Sequence, residues 1–179
     1  WVLVGNDATA QDEKEKAMAA AMGVKERLDE IADIEMMGKR PQDKALNITA
    51  SFKKKGAGQL VDGSVYLDIN LDENLFLAPV DTTKRVSDYM IDLRSKEVRD
   101  VKILIPEKLE VGSLPAPYQI HTAWVDFSRT YSHEGNQLVM HKECVIHHRR
   151  VPRSEISTWN KILSDWGTAC NEQVVLKVK

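Results

Sequence analysis

The densest run of reactive side chains is His141-Lys142-Glu143-Cys144-Val145-Ile146-His147-His148. Imidazole, thiol and carboxylate together form the donor set of a transition-metal site, or of a cysteine nucleophile served by a base. A metal requires its ligands to converge on one point. The alternation around this run makes it a strand, on which His141 and His147 share a face but lie about 20 Å apart at a rise of ~3.3 Å per residue. Cys144 and His148 share the opposite face about 13 Å apart by the same rise. Convergence would need a donor from a neighbouring strand, with His121 the available histidine. The sequence therefore nominates no metal and no cofactor.

A catalytic thiolate needs a helix N-terminus or a cationic neighbour to lower its pKa. Cys144 stands among Met140, Val145 and Ile146, and Cys170 falls near a helix C-terminus, where the dipole opposes a thiolate. Both read as thiols that pack as small hydrophobes. No G-x-S-x-G, H-E-x-x-H, C-x-x-C or phosphate loop occurs. A small Cys/His thiol hydrolase remains the enzyme alternative, and no catalytic residue is assigned.

Other polar groups suggest binding. His147, His148, Arg149 and Arg150, with Arg153, could receive a carboxylate or an acidic partner; a solvated strand end beside a helix entrance is the plainer reading. Trp124 and Tyr118, off the expected core face, are candidates for contact with a carbohydrate or peptide. Lys53-Lys54-Lys55 before Gly56-Ala57-Gly58 lacks the following helix of a nucleotide loop. Asp68, Asp72 and Glu73 lack the spacing of a dedicated calcium site.

The elements that must position these groups follow from periodicity. Trp1–Val4 reads as a strand remnant. Ala17, Ala21, Val24, Leu28 and Ile31 step by three and four and predict an amphipathic helix over Asp12–Met37, packed on the core or serving to dock another domain. From Ala45 the period is two: Leu46, Ile48, Ala50 and Phe52, then Val65, Leu67, Ile69 and Leu71, alternate with polar residues. Further strands are expected over Arg85–Leu93 and Val98–Ile105. A long hairpin is expected over Tyr118–Arg150, turning at His133-Glu134-Gly135-Asn136, with Ala123, Val125, Phe127 and Tyr131 facing one way and Trp124 the other. Its second arm offers Leu138, Met140, Cys144 and Ile146.

After Pro152, Ser154 is placed to cap a helix over 154–171. Ile156, Trp159, Leu163, Trp166 and Cys170 form its apolar face, and a last strand carries Val174, Leu176 and Val178. With no βαβ alternation, a parallel sheet is excluded. The fold class is α+β, mainly β: an antiparallel sheet or β-sandwich with an N-terminal amphipathic helix and a C-terminal helix packed on the sheet.

At 179 residues, 42% hydrophobic and 29% charged, the chain suits one globular domain. It reads as a single domain over 1–179: residues 1–44 hold the remnant and first helix, and residues 45–179 the β region and last helix. A net charge of -2, from 25 basic and 27 acidic residues, makes no electrostatic case for nucleic acid. No apolar run reaches the ~18 residues of a transmembrane helix. Because the chain opens with Trp1, it is expected to be a mature product or a fragment of a larger protein.

The C-terminal half resembles a known family. The residues that carry the resemblance are Arg85 before an extended segment, Ile103–Pro106 and Val111–Pro115 in the phrase VKILIPEKLEVGSLPAPY, the long hairpin, Val151-Pro152 with Glu155 stepping into a helix, and the final Val174–Lys177. In this order, over roughly residues 60 to 179, they resemble the β-rich domain that follows the papain-like core in bacterial transglutaminase-like proteins. The resemblance implies a non-catalytic accessory domain of an exported, cell-envelope or periplasmic protein. Its partner would be the neighbouring transglutaminase-like domain of the same parent chain. That core carries a Cys-His-Asp triad with the cysteine opening a helix, and no position here matches it.

Overall fold

The computed structural model describes residues 30–38, 42–43, 45–53, 56–70, 79–91 and 95–179. They fall into two compact units, one ending at Ala57 and the other comprising Gly58–Asn70 and the described residues from Pro79 onward.

The first unit is an antiparallel pair, β1 (Glu30–Met37) and β2 (Asn47–Lys53). Strand β2 alternates as its sequence requires, with Ile48, Ala50 and Phe52 on the more sheltered face. The helix expected over Asp12–Met37 is corrected at its end, because Glu30–Met37 is a strand; its earlier part lies outside the described residues, as does Trp1–Val4. The pairing register shifts between Ala32 and Glu35, and Asp33 takes a positive φ of 51°. This is a β-bulge, two residues opposing one, and it breaks the period of two that would have marked a strand.

The second unit is built on a long hairpin. Strands β9 (Val125–Glu134) and β10 (Gln137–Ile146) pair antiparallel along their full length and are joined by Gly135-Asn136. Gly135 has φ 58°, the positive value that a two-residue hairpin loop demands and glycine supplies cheaply. Strand β6 (Lys96–Leu104) flanks β10, and β8 (Tyr118–His121) flanks β9, giving the order β6-β10-β9-β8. The hairpin is therefore shorter than the sequence suggested. Thr122 turns the chain between β8 and β9, its hydroxyl accepting from the N–H groups of Trp124 at 3.2 Å and Val125 at 2.9 Å.

A second sheet has the order β3-β4-β12-β7. Strands β3 (Gly58–Val61) and β4 (Ser64–Leu67) are joined by Asp62-Gly63, with φ of 47° and 74°. Two positive values in succession are what a type I′ turn needs. Strand β12 (Val174–Val178) lies between β4 and β7 (Leu109–Ser113), antiparallel to both. Of the strand expected over Arg85–Leu93, only β5 (Tyr89–Met90) forms among the described residues, paired with β11 (Arg150–Val151).

Helix α1 (Ile156–Asn171) follows a 3₁₀ turn at Arg153–Glu155 and buries Ile156, Trp159, Ile162, Leu163, Trp166, Ala169 and Cys170. All of these but Ala169 pack with Val125, Phe127, Ile146 and Val151 in one apolar cluster, where Phe127 and Trp166 stack at 4.8 Å and 16°. Trp159 is fully buried and its Nε1 meets no acceptor, so the indole serves as apolar volume. Ser154 does not cap the helix as expected. The Arg153 N–H is taken instead by the Asp88 carboxylate at 2.9 Å, across 65 residues of sequence.

A second cluster joins Leu138 and Met140 of the hairpin to Ile69, Ile105, Val174 and Leu176. Between the two clusters the inner face of the sheet carries a row of cations in register, Arg99 opposite Lys142 and Lys142 opposite Arg129. Arg129 is 1% exposed and donates from Nη2 to Glu172 at 2.8 Å. Lys142 is also buried, with its Nζ 3.3 Å from Asn70 Oδ1.

Candidate functional site

The polar residues singled out in the sequence separate into three places. At the first, on one edge of the central sheet, His147 donates from Nε2 to Asp126 Oδ2 at 2.7 Å, and His121 lies 3.1 Å from the other oxygen through Nδ1. The Gln119 amide nitrogen meets His121 Nε2 at 2.7 Å. The His147 bond, with help from His121, holds the Asp126 carboxyl below the usual carboxylate range against the opposing effect of burial. Among the described residues no group of three His, Cys, Asp or Glu could hold a metal ion.

The second place is the core itself. Cys144 and Cys170 are thiols that belong to the same apolar cluster, Cys170 at 1% exposure on the last turns of α1. The aromatic candidates lie there too. Trp124 packs edge-on against Trp159 at 6.4 Å, and Tyr118 lies 5.7 Å from Trp166. Strand alternation would turn Trp124 outward, but it stands in the Thr122 turn, before β9 begins. The neighbouring Ala123 is exposed. Burial, then the negative charge of Asp165 and the Cys170 thiol, pushes the Tyr118 hydroxyl up.

The third place is the helix entrance, where most of the basic residues named above gather with Arg85. Arg149 is structural: its Nε donates to the Ile91 carbonyl at 2.9 Å, and its own carbonyl accepts from the Ile91 N–H at 2.7 Å. Arg150 donates from Nε to Asp88 Oδ2 at 2.5 Å, while Asp88 Oδ1 takes the Arg153 N–H. These two bonds, the Arg153 N–H first, hold the Asp88 carboxyl below its usual range. Arg153 also donates from Nε to the Arg85 carbonyl at 2.8 Å. His147, by contrast, belongs to the Asp126 cluster.

Arg85, Arg153, Thr82, Ser154, Ser157 and Ile156 enclose a cleft of about 460 Å³. That volume lies in the range of small-ligand sites. The Arg85 guanidinium rests 5.6 Å from the Tyr89 ring, Nη1 reaches the Asp88 carbonyl at 3.4 Å, and Nε is shielded with no acceptor. Sequence reading found Arg149, Arg150 and Arg153 here but gave Arg85 no binding role and did not single out Asp88. The only available signal was the recurrence of arginine at both ends of the pairing between β5 and β11.

A family model described as "Domain of Unknown Function with solved-structure structure" (DUF3858) matches residues 63–176. This is nearly the stretch over which the sequence resemblance was drawn, and it takes in strands β4 to β12 and helix α1. No curated protein matches the chain. Among solved structures, one described as "a putative protease from Parabacteroides distasonis" is similar in fold, with a TM-score of 0.50 and 13% identity. The similarity covers 67% of this chain and 24% of that one, so this chain corresponds to about a quarter of that protein's length.

Proposed function

The chain belongs to the DUF3858 family, and from that premise we propose that it is a non-catalytic interaction domain of a larger, exported, transglutaminase-like protein. Its role is to support, or present ligands to, the neighbouring domain. The observation that carries this reading is the placement of the two thiols. Both Cys144 and Cys170 belong to the aromatic cluster under α1, and Cys170 lies where a helix dipole disfavours a thiolate. The fold neighbour supports a larger parent protein, because there a similar architecture is one part of a much longer chain.

Iodoacetamide labelling of the folded protein at neutral pH is the test. Cys170 is expected to label only on unfolding and Cys144 slowly. Fast alkylation of one thiol, abolished by His121→Ala or His147→Ala, would make the chain a thiol hydrolase instead.

A further inference from the structure

We propose that the cleft between Arg85 and Arg153 is a carboxylate-binding site, and that its occupant is an acidic side chain on a segment of a partner polypeptide. This goes beyond the accessory reading, which thiol labelling tests separately.

Charge is matched around most of the described arginines. Arg150 has Asp88, Arg129 has Glu172 and Arg99 has Glu97. Arg149 is spent on the Ile91 carbonyl. Arg85 and Arg153 each give one donor to a backbone carbonyl but have no ion-pair partner among the described residues, and they line one cleft whose other walls are the hydroxyl-bearing Thr82, Ser154 and Ser157 and the apolar Ile156. Among the described residues no carboxylate lines it. The two nearby acids are engaged: both Asp88 oxygens are bonded, and Asp81 accepts from the Thr83 N–H at 2.8 Å and hydroxyl at 2.7 Å, feeling Arg85 only as a more distant charge.

Two guanidinia and three hydroxyls form a donor-rich wall for an oxyanion. The chain's own Asp88 shows the chemistry close by, a carboxylate shared between an arginine Nε and a backbone N–H. Thr82, Arg153, Ser154 and Ser157 are exposed, so a residue on another polypeptide can reach the cleft. Beside Arg85, Val86 is 87% exposed, an apolar contact for a peptide that free carboxylate would not use.

The test is a titration of the whole chain, following the arginine Nε–H signals by NMR, with a short end-blocked glutamate peptide, with acetate and with inorganic phosphate. The peptide should shift the Arg85 Nε–H saturably and bind more tightly than either small anion. Arg153→Gln, at an exposed position, should leave the urea midpoint unchanged and weaken the peptide roughly tenfold, as expected for one lost charged hydrogen bond. The proposal is overturned if no probe gives a saturable shift, or if Arg153→Gln binds the peptide as the parent does. Phosphate or acetate binding as tightly as the peptide would equally overturn the assignment to an acidic segment.

Discussion

The inner face of the β9–β10 hairpin supports two cores of different make. Toward Val125 and Ile146 it meets the helix, and the filling is aromatic: Phe127, Trp159 and Trp166, with Tyr89, Tyr118 and Trp124 around them. Toward Leu138 it meets the second sheet, and the filling is almost wholly aliphatic: Ile69, Ile105, Leu138, Met140, Val174 and Leu176. A helix presents a narrow stripe and fills the space above a sheet with few, large side chains. A strand presents every second residue and fills it with many smaller ones. The Arg99–Lys142–Arg129 row runs where one kind of packing gives way to the other.

That difference fixes the scale of the perturbations that would test it. Trp159→Ala should cost about 3–5 kcal/mol in urea unfolding, because one side chain holds much of the helix-side core. A loss under ~1 kcal/mol would mean that the helix is not docked. Leu138→Ala should cost less, about 2–4 kcal/mol, since its neighbours share the load. If the cationic row separates the cores energetically, the double variant should be additive to within ~0.5 kcal/mol, and a larger coupling would show one continuous core.

Arg129→Met should be neutral or stabilising by about 1–2 kcal/mol. Glu172, its ion-pair partner, is 47% exposed and stays hydrated when the cation is gone. A marked loss of stability would show that Arg129 holds the two cores in register rather than dividing them.

The smallest effect belongs to the outer edge of the same sheet. The Asp126 carboxyl is held down by His147 and then His121, so its folded pKa lies below its unfolded one. Its contribution is therefore present above about pH 4, the ordinary carboxylate range, and fades as pH falls through the folded value. Asp126→Asn should flatten the fall in urea midpoint between pH 5 and pH 2, and an unchanged slope would assign acid sensitivity elsewhere.

Much of this architecture was legible in the residues. The three-and-four spacing from Ile156 to Cys170 placed the aromatic stripe of α1 correctly, and alternation gave β2, β6 and the two hairpin arms. What was lost was lost to interruptions. The alternating apolar positions of the hairpin skip residue 129 on one arm and 142 on the other. Those two gaps, directly opposite one another, are the buried cations. Asp33 broke the strand period of β1, so alternation did not mark Glu30–Met37 as a strand. At the candidate site, Arg150 and Arg153 were visible as a basic cluster, but their organiser, Asp88, is more than sixty residues away, and only the folded chain makes them neighbours.

The position of β12 between β4 and β7 has a consequence for how the polypeptide is made. A ribosome delivers β3, β4 and β7 first and leaves a slot in the middle of the sheet. Until Val174–Val178 emerges, the edges of β4 and β7 that will receive it face solvent or a chaperone, bare of partners. The aliphatic core beneath them lacks Val174 and Leu176 for the same interval. Completion of this sheet is thus tied to a strand synthesised well after its other three, so nascent chains paused before Gln173 should be the species most prone to mispair.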